Sequence, residues 1–272
     1  PVTNGEPTME FSGYSTLEFE HRGRVLWITI DGQGPMNAVD DPMHHDLARV
    51  FYDAQRDPDS DIVVITARGR AFCAGGDMQW FQDMIDDPSR FRGIAPDAKR
   101  IITSLLEMEK PIICRLNGAA AGLGASVALL CDIIVADETA KIGDPHVKVG
   151  LVAGDGGAII WPQLIGFARA KEMLLTGDLV DAKDAAAMGL INHAVPADAL
   201  DGKVDEIVGK IQGNPRWAVR WTKTAVNLVL RDIATRVSDA AIAYEMLSNM
   251  TADRQEAVSA FVEKRPPGYT GE

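Results

Sequence analysis

The sequence predicts an α/β fold followed by an all-α region. Short β-branched runs alternate with helical stretches up to about residue 195, small-residue loops follow two of those runs, and only helical periodicity remains beyond 197. A chain of 272 residues, 46% of them hydrophobic, is also long enough to bury a large core, which excludes general disorder.

Taken in order, residues 17–20 and 25–30 are β-rich runs joined by His21-Arg22-Gly23-Arg24, a hairpin signal. Asp40-Asp41-Pro42 offers a cap and a proline at the first helical turn, and Leu47, Val50, Phe51 and Ala54 recur at helical spacing, predicting a helix over about 43–56. Residues 61–66 form a continuous β-branched run of the kind buried on both faces of a sheet. A loop containing Gly69, Gly75 and Gly76 ends that strand, a helix over about 97–109 stops before Pro111, and 112–116 is the next buried strand. Beyond the glycine-rich stretch 117–124, the pattern predicts a short buried helix at 125–130, a strand at 133–136, helices at 157–164, 168–175 and 182–188, and a strand at 191–195. Three helices follow, over about 198–212, 215–231 and 234–264. The expected organisation is a polar tail over 1–10, an α/β core over 11–197 and a helical region over 198–272. Helices that cannot bury both faces on their own core point to packing on a neighbouring subunit as well.

Composition narrows the function. With 39 acidic against 27 basic side chains the formal charge is −12, which works against wrapping a polyanion, so no nucleic-acid partner is expected. The sequence contains no run of 18 apolar residues, and Pro1-Val2-Thr3-Asn4-Gly5-Glu6-Pro7 has neither part of a signal peptide. A soluble, non-secreted protein without a membrane role is the expectation. Cys73, Cys114 and Cys131 sit singly in apolar stretches, as buried thiols of a reducing cytoplasm do. No His/Cys/Asp group has metal-ligand spacing, so no metal is expected.

Two loops carry the chemistry. Arg70-Ala71-Phe72-Cys73-Ala74-Gly75-Gly76-Asp77-Met78 and Asn117-Gly118-Ala119-Ala120-Ala121-Gly122-Leu123-Gly124-Ala125-Ser126 each lead out of a strand through small residues that leave backbone N–H groups free. Two such groups converging on one oxygen form an oxyanion hole. Neither loop has the G-x-G-x-x-G spacing of a dinucleotide site.

In this order and spacing the loops resemble those of the crotonase superfamily, the enoyl-CoA hydratase/isomerase family. The likeness extends to Pro35-Met36-Asn37-Ala38, to Cys131-Asp132, to Thr176-Gly177 through Gly189-Leu190-Ile191, and to Ala260-Phe261-Val262-Glu263-Lys264-Arg265-Pro266. The resemblance implies a spiral of ββα units with a C-terminal helical trimerisation region, assembled as a homotrimer or hexamer. It also implies an acyl-CoA thioester substrate, with no cofactor beyond the CoA of that substrate. The thioester carbonyl would be held by two backbone N–H groups, which map to Ala74 and Leu123. The remaining motif residues, Asn37, Ala38, Gly76, Asp77, Met78 and Gly122, become candidate substrate contacts. Arg70 and Lys264, with Arg68 and Arg265, are candidates for the CoA phosphates.

The sequence departs from the family at the chemistry. The hydratases carry two glutamates that bracket a water, one protonated and one not. Here Ser126 and His146 stand at those positions. His146 is the side chain there whose ordinary pKa suits proton transfer near neutrality, so it is the first candidate acid/base. Asp155, nine residues on in Gly154-Asp155-Gly156-Gly157, either caps a helix or orients His146. The His146/Asp155 spacing, with Trp161-Pro162 and Gly166, is locally similar to 6-oxocamphor hydrolase, a crotonase relative that hydrolyses a C–C bond in a cyclic β-diketone. Three functions are therefore expected in competition: an enoyl-CoA hydratase/isomerase, a C–C hydrolase of a β-diketone or β-ketoacyl-CoA, and a non-catalytic acyl-CoA binder. His44 and His45 are expected to face solvent, Ser126 to fill core space, and Asp77 to cap a helix.

Overall fold

The computed structural model describes residues 11–32, 34 and 36–272. The expected tail over 1–10 lies outside the described residues, as does Pro35. The chain begins with a hairpin of β1 (Leu17–Arg22) and β2 (Val25–Ile30), paired antiparallel. Helix α1 (Asp41–Arg56) starts where Asp40 accepts a hydrogen bond from the Met43 N–H. Next come β3 (Ile62–Ala67), β4 (Ala71–Cys73), α2 (Met78–Asp86) and α3 (Pro88–Glu107), followed by β5 (Ile112–Leu116), β6 (Ala119–Ala121) and α4 (Leu123–Leu129). The third round is β7 (Ile133–Asp137), β8 (Lys141–Gly143) and α5 (Gly157–Thr176). Then β9 (Leu179–Asp181), α6 (Ala182–Ala187) and β10 (His193–Val195) lead into α7 (Leu200–Gln212), α8 (Arg216–Ser248) and α9 (Ala252–Glu263).

Strand, strand, helix thus recurs three times although no sequence repeat marks it. In each round the first strand joins one sheet and the second joins another. The six-stranded sheet has the order β1-β2-β3-β5-β7-β10, parallel apart from the hairpin, and the four-stranded sheet has the order β4-β6-β8-β9. Alternate side chains of the large sheet serve two cores. Val63 and Ile65 face the main cluster with α1 and α3, while Ile62, Val64, Ile113 and Val135 pack on Leu200, Val204, Ile207 and Val208 of α7.

The small sheet was not legible in advance. Its strands are three residues long and include Ala119-Ala120-Ala121, which carries no β-branched signal. Helix α3 begins nine residues before its expected start, because Asp87 caps the Ser89 N–H and Pro88 tolerates the first turn. The two helices expected over 157–175 are present as two helical segments of α5 that meet at a kink at Gly166, whose φ of 77° is not helical. Helix α8 runs for 33 residues through the expected break near 232, since it contains neither glycine nor proline to stop it.

This layout positions a site. Strands β4, β6 and β8 are parallel neighbours, so their carboxyl ends release three loops on one side of the small sheet. Those loops carry residues 74–77, 122–123 and 144–146.

Candidate active site

The first two loops touch. A Cβ on Gly75 would lie 3.3 Å from the Ala121 carbonyl oxygen. Gly122 has φ 54°, donates its N–H to the Gly143 carbonyl at 3.1 Å, and would bring a Cβ within 3.2 Å of His146 Cε1. Any side chain there is strained and crowds the imidazole, which explains glycine at this position.

His146 opens a 3₁₀ turn, His146–Val149, directly after β8. Its Nδ1 bonds Asp144 Oδ1, and its Nε2 lies 3.4 Å from Asp155 Oδ2 and 4.0 Å from Glu245 Oε1. Ser126 Oγ donates to Asp155 Oδ1 at 3.2 Å. All these groups are buried. Burial opposes the His146 cation, yet the carboxylates flanking both ring nitrogens hold its pKa well above the ordinary imidazole value. Asp155 answers in the opposite direction. Burial disfavours its charge, but His146 and the Ser126 hydroxyl keep its pKa below the usual carboxylate range. Glu245 is pushed up to about 8 by burial and by the Asp155 charge, against the pull of His146 and Arg254. The environment thus favours charge on His146 and Asp155 and holds the proton of Glu245 to a higher pH than an ordinary carboxyl.

Glu245 reaches the cluster from α8, in the C-terminal helices. Helix α8 approaches closely because a Cβ on Gly154 would clash with the Ala241 carbonyl oxygen at 2.5 Å and with Glu245 Oε2 at 2.7 Å. Arg254 of α9 anchors the far side, its guanidinium 4.4 Å above the Phe81 ring and bonded to the Val149 carbonyl.

His146, Asp155 and Glu245 face a narrow cavity of about 40 Å³ lined also by Val39, His44, Gly76, Trp80, Phe81 and Leu123. That is room for roughly two or three waters. A larger groove of about 650 Å³ along α8 lies elsewhere and is mostly apolar.

The structure sorts the expected residues. Leu123 lines the cavity, and its N–H, in the first turn of α4, has no partner among the described residues. Ala74 does not line it, and its N–H donates to the Met36 carbonyl at 3.0 Å. The N–H of this loop with no partner among the described residues at the cavity is that of Gly76, held between two backbone bonds, Val39 N–H to Gly75 O at 2.8 Å and Asp77 N–H to Val39 O at 2.9 Å. The Ala74 N–H, expected to be available to a ligand, is already used by the Met36 carbonyl, and the N–H of this loop left available is that of Gly76. Asn37 is also used structurally. It donates to the Arg68 and Ala71 carbonyls at 2.7 and 3.0 Å and accepts from the Gly32 N–H at 3.1 Å, pinning the loop rather than meeting the cavity. Ala38 and Met78 also stand outside the cavity lining. Asp77 caps α2, accepting from Gln79 and Trp80 N–H groups. Asp155 is not a helix cap: α5 is capped by Gly156, and the Asp155 carboxylate turns to His146 and Ser126.

His44 is buried and lines the cavity, contrary to the solvent-facing position expected from its polarity. Asp144, His146 and Asp155 bring donor atoms within 4.8 Å of one another, a grouping that sequence spacing did not suggest. Asp144 and Asp155 sit on opposite edges of the ring, one at each nitrogen. No helix among the described residues is long and apolar enough to cross a membrane.

The enoyl-CoA hydratase/isomerase family profile matches residues 20–272. The chain belongs to the enoyl-CoA hydratase/isomerase family. It is 32% identical over 255 residues to the 1,2-epoxyphenylacetyl-CoA isomerase of Escherichia coli, covering 91% of this chain and 95% of that protein. An enoyl-CoA hydratase/isomerase structure from Mycobacterium paratuberculosis superposes with a TM-score of 0.85 at 34% identity, over 90% of this chain and 97% of the other. A β-diketone hydrolase from the cyanobacterium Anabaena, bound to (S)-3-oxocyclohexyl acetic acid, superposes with a TM-score of 0.82 at 27% identity, over 88% and 96%. The three strand-strand-helix rounds are therefore the crotonase spiral.

Proposed function

We propose that this protein is an acyl-CoA enzyme of the hydratase/isomerase type, in which Asp155 and Glu245 form the acid/base pair around His146. The observation that supports it is the nearness, in one cavity, of two buried carboxyl groups whose surroundings push them apart, Asp155 down beside His146 and Ser126 and Glu245 up by burial, beside two backbone N–H groups with no partner among the described residues. Environments that push two pKa values apart assign acid and base. In hydration of an enoyl thioester, water adds its oxygen to Cβ and gives a proton to Asp155, while the π electrons move onto the thioester oxygen. The N–H groups of Gly76 and Leu123 hold that enolate oxygen, each worth on the order of 3 kcal/mol. Glu245 then delivers its proton to Cα. His146, between the two carboxyl groups, returns the proton from Asp155 to Glu245 and keeps Asp155 ionised in the buried cavity. Isomerisation uses the same groups, with the proton taken from carbon instead of water.

A cavity of about 40 Å³ does not admit an acyl chain, so substrate binding requires the wall of α2 and α3 to move outward. Arg70 and Lys264 are the proposed phosphate contacts: both are exposed and form no ion pair among the described residues, whereas Arg68 pairs with Glu18 and Arg265 with Glu256. Exposed Trp217, Trp221, Leu228 and Val229 on α8 support a trimeric or hexameric assembly, and the three buried free thiols support a reducing cytoplasm.

A second reading has its own support. The likeness to the Anabaena β-diketone hydrolase and the buried His146/Asp155 pair fit C–C hydrolysis, in which activated water attacks a carbonyl and an enolate leaves. Loss of the conjugated thioester absorbance on mixing the protein with trans-2-enoyl-CoAs decides between them. Rapid loss is the expected result. Inertness toward every enoyl-CoA, together with cleavage of a cyclic 1,3-diketone, would replace the first reading with the second, and inertness toward both would remove both.

A further inference from the structure

The cavity carries four titratable side chains, His44, His146, Asp155 and Glu245, and three of them cluster, with His146 Nε2 3.4 Å from Asp155 Oδ2 and 4.0 Å from Glu245 Oε1. His44 stands apart. It comes from α1, is 3% exposed, and packs its ring 5.7 Å from that of Trp80. Its Nδ1 is buried with no hydrogen-bond partner among the described residues. The nearest indole offers none, because Trp80 Nε1 already donates to Asp41 Oδ1 at 2.6 Å. Burial also keeps the His44 ring neutral, lowering its pKa against the pull of Asp97 and Asp155. A neutral imidazole nitrogen either donates or accepts, according to tautomer.

Buried polar atoms in native proteins have partners, and an orphan marks a place where a water or a ligand belongs. In the closed cavity Nδ1 is shut against the protein, and the outward movement of the α2 wall that would admit an acyl group would take Trp80 from beside the ring and uncover it. A hydrocarbon chain would then leave Nδ1 unmatched, while an oxygen on the chain would give it a partner. We infer that His44 selects an acyl group bearing a hydroxyl or keto oxygen, in preference to a plain hydrocarbon chain. This rests on the acyl-CoA reading above and names its substrate class. His44 touches substrate in this role and takes no part in the proton transfers at Asp155 and Glu245.

The test is a binding series that needs no turnover. Dissociation constants are measured for hexanoyl-CoA and for hexanoyl-CoAs carrying one oxo or hydroxyl group at each carbon from 3 to 6. At least one oxygenated member should bind the wild type about tenfold or more tightly than hexanoyl-CoA. The ratio should fall to about one in His44→Leu and be partly retained in His44→Gln, with near-native thermal unfolding confirming the fold. No oxygen preference in the wild type, or a preference that survives in His44→Leu, would overturn the inference. If no CoA ester binds the wild type at all, the acyl-CoA reading itself fails, an outcome distinct from binding without discrimination.

Discussion

The two sides of the cavity are built by different means. On one side, parallel strands β4, β6 and β8 deliver Gly76, Leu123 and His146 at their carboxyl ends, each fixed within a few residues by backbone hydrogen bonds. On the other, Glu245 arrives on a 33-residue helix from the C-terminal region and is placed by helix packing against Gly154. The first side supplies backbone donors and a charged ring, and the second supplies a single carboxyl whose proton is retained because it is buried. Precision comes from the sheet, and the proton affinity of the acid comes from the helix. The proposed chemistry needs both.

The largest effect should come from the ionised carboxylate at which the strand-end cluster meets water. Asp155→Asn keeps the shape and the Ser126 contact but removes the base, so turnover of an enoyl-CoA should fall by about 10³-fold, within the range for general acid–base groups. A fall of less than tenfold would move the base from Asp155 to His146.

Glu245→Gln tests the helix side and should lower turnover by about 10²-fold. Wild-type activity should decline above about pH 8, as Glu245 loses the proton it donates. The variant's residual rate should lack that alkaline limb. An alkaline limb unchanged in Glu245→Gln would assign it to another group. Stability carries the same signature. The folded pKa of Glu245 lies above the ordinary carboxyl value, so between about pH 4.5 and 8 the native state holds a proton that the unfolded chain has released. The stabilisation linked to that proton is complete below the unfolded pKa and is lost as pH rises toward the folded one. Urea unfolding should therefore show Glu245→Gln gaining on the wild type from pH 5 to 8 and levelling off above it.

The same division governs what the sequence reveals. The strands of the large sheet, the glycine-rich loops and the positions of His146 and Asp155 were legible because local signals specify them: β-branched runs, small residues after strands, and motif spacing shared with a family. The small sheet was hidden because Ala119-Ala120-Ala121 is a strand by tertiary pairing alone. Glu245 was hidden because an acidic residue on a long helix has the signature of a solvated face, and only packing shows it buried. His44 was misplaced for a different reason: it stands three residues before Leu47 and seven before Phe51, on the same buried face of α1, and its polarity was weighed above that spacing. That the Ala74 N–H is used and the Gly76 N–H is not was hidden at finer scale. Which N–H remains free in a loop depends on which carbonyl comes opposite, here Met36, and no motif records that.

The smallest effect tests how self-contained the strand-end side is. Asp77 adjoins Gly76 and caps α2 through Oδ1, accepting from Gln79 N–H at 2.9 Å and Trp80 N–H at 3.1 Å. Replacing such a cap with alanine typically costs about 1 kcal/mol. The Gly76 N–H, however, is aimed by the backbone bonds of Val39 and Ala74 on either side of it, none of which uses the Asp77 carboxylate. Asp77→Ala should therefore destabilise the protein by about 1 kcal/mol while leaving kcat and KM within about twofold. A tenfold fall in kcat at unchanged KM would show that the donor's alignment depends on the start of α2. The division between a backbone-built side and a helix-built side would then have to be redrawn, with α2 counted as part of the oxyanion site.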